Sequence, residues 1–166
     1  MDPHHFQIRQ AQDSDWASIW DILEPVFRAG DTYAVDPGVS ESEARKQWMM
    51  LPESTFVAMQ PTGKIRGTYY LKTNHPGPGQ HVCNCGYVVP ESARGQGVAS
   101  GMCEHSLKQA LIQGFQAMQF NLVASTNEGA LRLWKRQGFE IVGTLPGAFK
   151  HPLRGPVDAF VMYKNL

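Results

Sequence analysis

The chain has 166 residues, of which 42% are apolar, and its formal net charge is zero. This length suits one folded domain, and a neutral chain has no general attraction to nucleic acid or to an anionic membrane. No apolar run approaches the ~20 residues that a transmembrane helix needs, and residues 1–9 lack the apolar segment of a secretory leader. We therefore expect a single domain, residues 1–166, without nucleic-acid or membrane partners.

The charges are unevenly distributed along the chain. Residues 1–55 contain 10 acidic and 4 basic side chains, whereas residues 56–166 contain 5 acidic and 11 basic ones. Two interpretations are open. The difference reflects chance and solvated helix faces, or the second part holds an anionic ligand while the first attracts an amine.

The three cysteines are Cys83, Cys85 and Cys103, an odd count that does not indicate a disulfide framework. Cys83 and Cys85 would share one face of a strand, but no second Cys/His pair accompanies them to complete a metal site. Buried, reduced cysteines are the better interpretation. They favour a cytoplasmic protein with no metal.

The N-terminal part predicts a strand followed by two helices. Residues 6–10 alternate as a strand does. Asp13 is a typical N-cap for a helix whose apolar residues recur at helical spacing, and Pro25 is expected to bend or end that helix early. Ser40 and Glu43 form a capping-box pattern that begins a second helix.

The remaining elements alternate between strands and helices. Strands are predicted at 55–59, 65–72, 81–89, 118–124, 139–142 and 157–163. One helix is predicted between Gly97 and Gly114, and a second over 127–137. The apolar side of the first of these two helices consists of Val98, Met102, Leu107, Ala110 and Leu111. The order β-α-α-β-β-β-α-β-α-β-β predicts one mixed α/β (α+β) domain around a central sheet.

A glycine-containing loop joins the strand ending near residue 89 to the following helix. Gly95 and Gly97 allow backbone N–H groups to approach a ligand, and the helix N-terminus directs free N–H groups into the same space. Such an arrangement binds phosphate, and Arg94 adds a cation. Three interpretations compete: a plain turn, a dinucleotide fingerprint and a coenzyme A pyrophosphate loop. The fingerprint fits less well, because Ser100 occupies the third glycine position and three strands and two helices precede the β-α unit that contains the loop.

Two segments carry a family resemblance. Residues 94–99, Arg-Gly-Gln-Gly-Val-Ala, resemble the Q/R-x-x-G-x-G/A loop of the GNAT superfamily of N-acetyltransferases, and residues 127–139 resemble that family's N-x-x-A-x-x-L-Y-x-x-x-G-F segment. Together with the order of elements, the resemblance covers the whole chain. It implies a mostly antiparallel, twisted sheet flanked by helices, with splayed fourth and fifth strands, and acetyl-CoA as cosubstrate.

The resemblance also implies which residues hold acetyl-CoA. Backbone groups of Val88 and Val89 would meet the pantetheine and the acetyl carbonyl, and one of their N–H groups would stabilise the oxyanion. Asn127 would contact the cofactor arm and also cap its helix. The loop amides would hold the pyrophosphate, those of Arg94, Gly95, Gln96, Gly97, Val98 and Ala99.

Two residues depart from the family pattern. Asn84 stands where many members carry a glutamate base, and Trp134 where many carry a tyrosine acid. Neither exchanges a proton near neutral pH, so we expect catalysis to depend on orientation and on water-mediated proton removal. Asn84 either makes a structural hydrogen bond or orients the substrate, and Asn121 interrupts the facing strand in the same way. We interpret both as catalytic residues lining the gap, and Trp134 as a core residue, with a cover over the cofactor's arm as its alternative role.

The acceptor is predicted from a looser resemblance. Residues 83–87, residues 119–121 and the Pro/Gly-rich segment 143–159 are similar to acetyltransferases that detoxify azetidine-2-carboxylate. This implies a small, amino-acid-like amine. The residues expected around it are Tyr87, Asn84, Phe149 and His151. Tyr87 either packs beside the substrate or belongs to the core. The loop side chains of Lys150, His151 and Arg154 either bind a carboxylate of the substrate or face solvent.

Two other functions remain open at this stage. The missing acid and base allow a non-catalytic acyl-CoA-binding or sensing domain. A protein or peptide N-terminal acetyltransferase is the second alternative. A homodimer is a further prediction, since Trp16, Trp20 and Trp48 belong either to the core or to a dimer surface.

Overall fold

A seven-stranded sheet runs through residues 6–166, the part of the chain that the computed structural model describes. The strands are β1 (Gln7–Gln10), β2 (Ser54–Met59), β3 (Ile65–Thr73), β4 (Val82–Val88), β5 (Ala117–Ala124), β6 (Glu140–His151) and β7 (Gly155–Asn165). Their order across the sheet is β1-β2-β3-β4-β5-β7-β6, and only β4 and β5 are parallel neighbours. The predicted mostly antiparallel sheet is thus confirmed. Residues 1–5, which belong to the predicted domain and to the segment 1–9 considered for a secretory leader, lie outside the described residues.

In the described part of the chain, four α-helices cover the two faces of the sheet. They are α1 (Trp16–Ala29), α2 (Glu41–Arg45), α3 (Val98–Ile112) and α4 (Glu128–Arg136), and a π-helical turn at Lys46–Met50 follows α2. The predicted order of strands and helices is confirmed. Within residues 6–166, none of the helices combines the length and apolar character needed to cross a bilayer.

The start of α1 differs from the prediction, and the helix does not end early at Pro25. Asp13 opens a 3-10 turn rather than the helix, which begins at Trp16. Pro25 lies inside α1, which continues to Ala29 and ends at Gly30 in the left-handed region (φ 64°). The helix persists because its buried apolar side, which includes Leu23 and Phe27, packs against the core and outweighs the hydrogen bond that proline removes.

Helix α3 lies on the sheet through a different set of residues from that predicted. Val98, Met102 and Ala110 are buried as expected, but Leu111 is 55% exposed. Cys103 and Ser106 complete the buried side instead. The helix therefore meets the sheet at positions 98, 102, 103, 106 and 110, and position 111 is turned away from it.

The two faces of the sheet hold separate apolar clusters. One cluster joins α3 and α4 to the sheet and contains Tyr69, Met118 and Phe120, and the other joins α1 and the π-helical turn to the opposite face. Trp16 and Trp48 are buried in the second cluster, so the core interpretation holds for them. The cysteines Cys83, Cys85 and Cys103 are buried and free, as predicted.

The Pro/Gly-rich C-terminal segment forms a long hairpin whose pairing is interrupted by register shifts. Strands β6 and β7 pair from Glu140 with Tyr163 to His151 with Gly155. The extra residues are absorbed where the register shifts, as β-bulges allow. Pro146 is tolerated because β6 is an edge strand.

Candidate active site

The site is a gap between β4 and β5. These strands pair only at their beginnings, Val82 with Ala117 and Cys83 with Met118, although both continue for several residues. Beyond that point they diverge, as the predicted splay requires. The gap opens into a cleft of 1420 Å³ that reaches from α1 on one face of the sheet to α3 and α4 on the other.

Asn84 bridges the two strands where they separate. Its Nδ2 donates to the carbonyl of Gln119 on β5 (2.9 Å), and its Oδ1 accepts from the Tyr70 hydroxyl on β3 (3.2 Å). The side chain is only 7% exposed and borders the cleft. The structural role considered for Asn84 is therefore present, and the side chain borders the gap where β4 and β5 stop pairing.

Asn121 lies on the same cleft but is exposed. Its Nδ2 donates to Asn74 Oδ1 (2.7 Å), and its Oδ1 accepts from Gln119 Nε2 (2.9 Å). Asn121 and Asn84 are thus brought together through Gln119 rather than by a direct bond. The amide of Asn84 is the more constrained of the two.

The glycine loop presents a series of unpaired amides. Gly95 and Gly97 have φ values of 72° and 77°, which a residue with a Cβ rarely adopts. From Gly95 to Ser100, the backbone N–H groups donate no hydrogen bond within residues 6–166. They are at the N-terminus of the 15-residue helix α3, whose dipole adds positive potential. This arrangement fits a phosphate group.

The other predicted cofactor residues lie on the same cleft. Its lining includes residues from the end of β4, the glycine loop and the start of α4: Val88, Val89, Arg94, Gly95, Gly97, Val98, Ala99 and Asn127. The Asn127 side chain caps α4, because its Oδ1 accepts from the N–H of Ala130 (3.3 Å). Gln96 is the exception, since its side chain turns away from the cleft to the Ser92 carbonyl (3.0 Å).

Three aromatic side chains that the sequence did not place in the site form the wall next to α1. Tyr33, Trp48 and Tyr70 pack edge-on or tilted, with ring centroids 4.8 to 5.8 Å apart. A Cβ on Gly86 would contact the Tyr33 hydroxyl and lie 2.6 Å from Tyr70 Cε1. The sequence signal for this wall was Gly86 itself, because a glycine inside a strand often marks a place where another group approaches the backbone closely.

Burial keeps these phenols protonated. It raises the pKa of Tyr33 well above its ordinary value, and burial likewise raises the pKa of Tyr70. The thiol of Cys85, which also borders the cleft, has its pKa raised well above its usual range by burial. These three groups can donate hydrogen bonds in the cleft, but they do not supply a base near neutral pH.

The residues predicted around the acceptor differ in position: Tyr87 borders the cleft, whereas Phe149 and His151 do not. The Tyr87 hydroxyl points to the α3 face, where it bonds Ser106 Oγ (2.6 Å), and its ring packs on Trp134. Phe149 is buried under the C-terminal hairpin, because the register shift in β6 turns it toward Ala124 and Ala159. His151 accepts from backbone N–H groups in the hairpin turn and does not border the cleft.

Arg154, in the same hairpin turn, does border the cleft. Of the three loop residues considered for binding a carboxylate, Arg154 borders the cleft, whereas Lys150 and His151 do not. Trp134 is 8% exposed and packs on Tyr87 and Phe120 with centroids 4.9 Å apart in both cases. Its predicted place in the core is therefore where the structure puts it.

The charged residues along the cleft follow the uneven distribution in the sequence. The basic ones all belong to the second part of the chain: Lys72, Arg94, Arg136 and Arg154. The acidic ones are Asp31, from the first part, and Glu128. The cleft therefore has a net excess of positive charge, which suits an anionic ligand.

Comparison with known proteins defines the class. The chain is similar to a GCN5-related N-acetyltransferase from Kribbella flavida, with 39% identity, a TM-score of 0.94 and coverage of 99% of this chain and 100% of that one. A phosphinothricin acetyltransferase from Sinorhizobium meliloti, solved with acetyl-CoA, has a TM-score of 0.87 over 98% of this chain and 89% of its own. It is 19% identical, so that likeness shows the fold alone.

Sequence comparison agrees with the structural one. The N-acetyltransferase aca1 of Schizosaccharomyces pombe is 28% identical over 148 residues, which are 80% of this chain and 71% of aca1. Residues 16–139 match the acetyltransferase (GNAT) family. The fold is that of an N-acetyltransferase, a class whose cosubstrate is acetyl-CoA. The chain belongs to the GNAT family of acetyltransferases.

Proposed function

We propose that this single domain transfers the acetyl group of acetyl-CoA to the amine of a small, amino-acid-like molecule in a ternary complex. The observation that carries the proposal is the continuity of the cleft. It connects the unpaired amides of Gly95–Ser100 on one side with Asn84 and the aromatic wall on the other. Donor and acceptor can therefore meet at the gap between β4 and β5.

The donor half follows from the backbone. The amides after Gly95 and the positive end of α3 would hold the pyrophosphate, with Arg94 beside it. The diverging strands leave backbone groups of Val88 and Val89 free of the β5 ladder. One of these N–H groups would stabilise the oxyanion that forms when the amine attacks the thioester.

The acceptor half is the wall of Tyr33, Trp48 and Tyr70, with Asn84 at its base. The Asn84 amide is fixed by two hydrogen bonds, so it would orient the attacking nitrogen without exchanging its proton. Lys72 and Arg154 provide positive charge for a carboxylate on the acceptor. These charges support an amino-acid-like acceptor over a simple alkylamine.

The proton leaves by water rather than through a protein base. Among the described residues that border the cleft there is no histidine, and its carboxylates, Asp31 and Glu128, belong to the segment after α1 and to the first turn of α4 rather than to β4 or β5. Burial raises the pKa of Tyr33 and of Tyr70. The amine must be neutral to attack, so below its own pKa we expect kcat/KM to rise ~10-fold per pH unit. The midpoint should follow the acceptor: two substrates whose amine pKa values differ should give profiles displaced by that difference. A common midpoint would indicate an enzyme base.

The proposal is tested by release of free thiol from acetyl-CoA in the presence of a panel of amines and amino acids. We expect release that depends on the acceptor, with amino acids ahead of the matching decarboxylated amines. No release above background with the whole panel, combined with thermal stabilisation by CoA, would favour the binding or sensing alternative. Acetylation of peptide pools alone, detected by mass spectrometry, would favour a protein N-terminal acetyltransferase.

A further inference from the structure

Arg66 on β3 is a buried arginine directly behind the glycine loop. It is 8% exposed, and its Nη2 donates to the Ser92 carbonyl (2.7 Å) and approaches Gln96 Oε1 (3.5 Å). Gln96 Nε2 donates to the same Ser92 carbonyl (3.0 Å). Two side chains thus converge on one carbonyl at the start of the loop, and they also contact each other.

The charge of Arg66 has no acidic partner. Arginine–carboxylate pairs within residues 6–166 involve Arg9, Arg28, Arg45 and Arg132, and none involves Arg66. Its Nε is buried without any hydrogen-bond partner. A buried, unpaired cation is costly, so its presence calls for a compensating role. The part of the molecule that it contacts is the loop that would receive the negatively charged pyrophosphate.

We propose that Arg66 is a positioning residue for the cofactor: it fixes the glycine loop in its binding conformation and supplies positive potential from behind. This rests on the proposed function, since it concerns the same cofactor site. By holding the Ser92 carbonyl inward, Arg66 and Gln96 leave the amides from Gly95 to Ser100 free for the ligand. A bound pyrophosphate would then be the missing counter-charge of the buried guanidinium.

Gln96 acquires a second role beside the backbone role that the family resemblance implies. Its side chain belongs to the loop's internal contacts, while its backbone N–H stays free for the cofactor. The charge and the geometry of Arg66 can be separated experimentally. Lysine keeps the positive charge but replaces the planar guanidinium with a single ammonium nitrogen. Methionine keeps most of the side-chain volume and removes both the charge and the hydrogen-bond donors.

The test compares the wild type with Arg66→Met and Arg66→Lys by calorimetric titration with CoA and with pantetheine, which lacks the pyrophosphate. We expect Arg66→Met to weaken CoA binding by at least about tenfold, with a smaller salt dependence, and to leave pantetheine binding unchanged. Arg66→Lys should recover part of the affinity. Arg45→Met is the matched control, because Arg45 is a surface residue paired with Asp13 (3.3 Å).

Several outcomes would overturn the inference. One is CoA affinity in both Arg66 variants equal to that of the Arg45→Met control. Another is an equal loss for CoA and pantetheine, which would indicate general damage to the fold. If Arg66→Met does not fold, the same titrations are made with Arg66→Lys and Gln96→Ala. Unchanged CoA affinity in both of these variants would refute the positioning role of Arg66. A wild type that binds no CoA would overturn the proposed function itself.

Discussion

Replacing Gly86 by alanine should abolish most of the acetyl transfer. The added Cβ would contact the Tyr33 hydroxyl and come within 2.6 Å of Tyr70 Cε1, and neither ring can move without disturbing the packing around Trp48. A displacement of the aromatic wall by even ~1 Å can lower the rate of acetyl transfer ~10²-fold. The overpacking should also lower the free energy of unfolding by ~1–3 kcal/mol. Thiol-release kinetics and thermal unfolding measure the two effects.

Gly129→Ala is the matched control for this substitution. Gly129 lies in the first turn of α4 and borders the same cleft, but a Cβ there meets nothing within 4 Å. Alanine should leave the rate unchanged and raise stability slightly, because it favours the helix by ~1 kcal/mol relative to glycine. Wild-type kinetics in Gly86→Ala would show that the wall formed by Tyr33 and Tyr70 does not hold the acceptor.

Asn84→Ala should lower kcat/KM by about two powers of ten. The change removes the bridge between β4 and β5 and leaves the Gln119 carbonyl and the Tyr70 hydroxyl without their partner. An unsatisfied buried group costs ~1–3 kcal/mol, and each ~1.4 kcal/mol of lost transition-state stabilisation is tenfold in rate. We expect the loss mainly in kcat, since the pyrophosphate amides are untouched, so CoA affinity should be retained.

Asn121→Ala provides the comparison for Asn84→Ala. The Asn121 amide is exposed and contacts Asn74 and Gln119, so water can replace its bonds. Its effect should therefore be smaller and confined to the acceptor's KM. Full activity with unchanged substrate affinity in both variants would remove the two asparagines from the site. Circular dichroism and thermal unfolding of each variant separate a catalytic loss from a folding defect.

The cofactor half of the site was predictable because it depends on local rules. Glycines at 95 and 97, followed by a helix, specify free amides wherever the rest of the chain lies, and the structure has the left-handed φ values that they allow. Asn127 as a cap for α4 follows from the same kind of rule. These features involve residues close in sequence, so a pattern is enough to find them.

The acceptor half was less predictable because its residues come from separate elements. Tyr33 belongs to the segment after α1, Tyr70 to β3 and Arg154 to the hairpin turn, and only the folded chain brings them to one cleft. The misplaced Phe149 and His151 have the same cause. The register shifts between β6 and β7 decide which side chains of that hairpin turn inward, and no spacing rule determines them.

By itself, the sequence determined the order of strands and helices and the glycine loop at the start of α3, and the family resemblance predicted that Asn84 and Trp134 stand at the positions of the usual base and acid. Periodicity, capping and the backbone freedom of glycine act over a few residues, so they can be recognised in the sequence alone. Only the tertiary structure decided that Asn84 closes the base of the gap and that Arg66 stands unpaired behind the loop. Both depend on contacts between residues distant in sequence, and burial gives those contacts their energy.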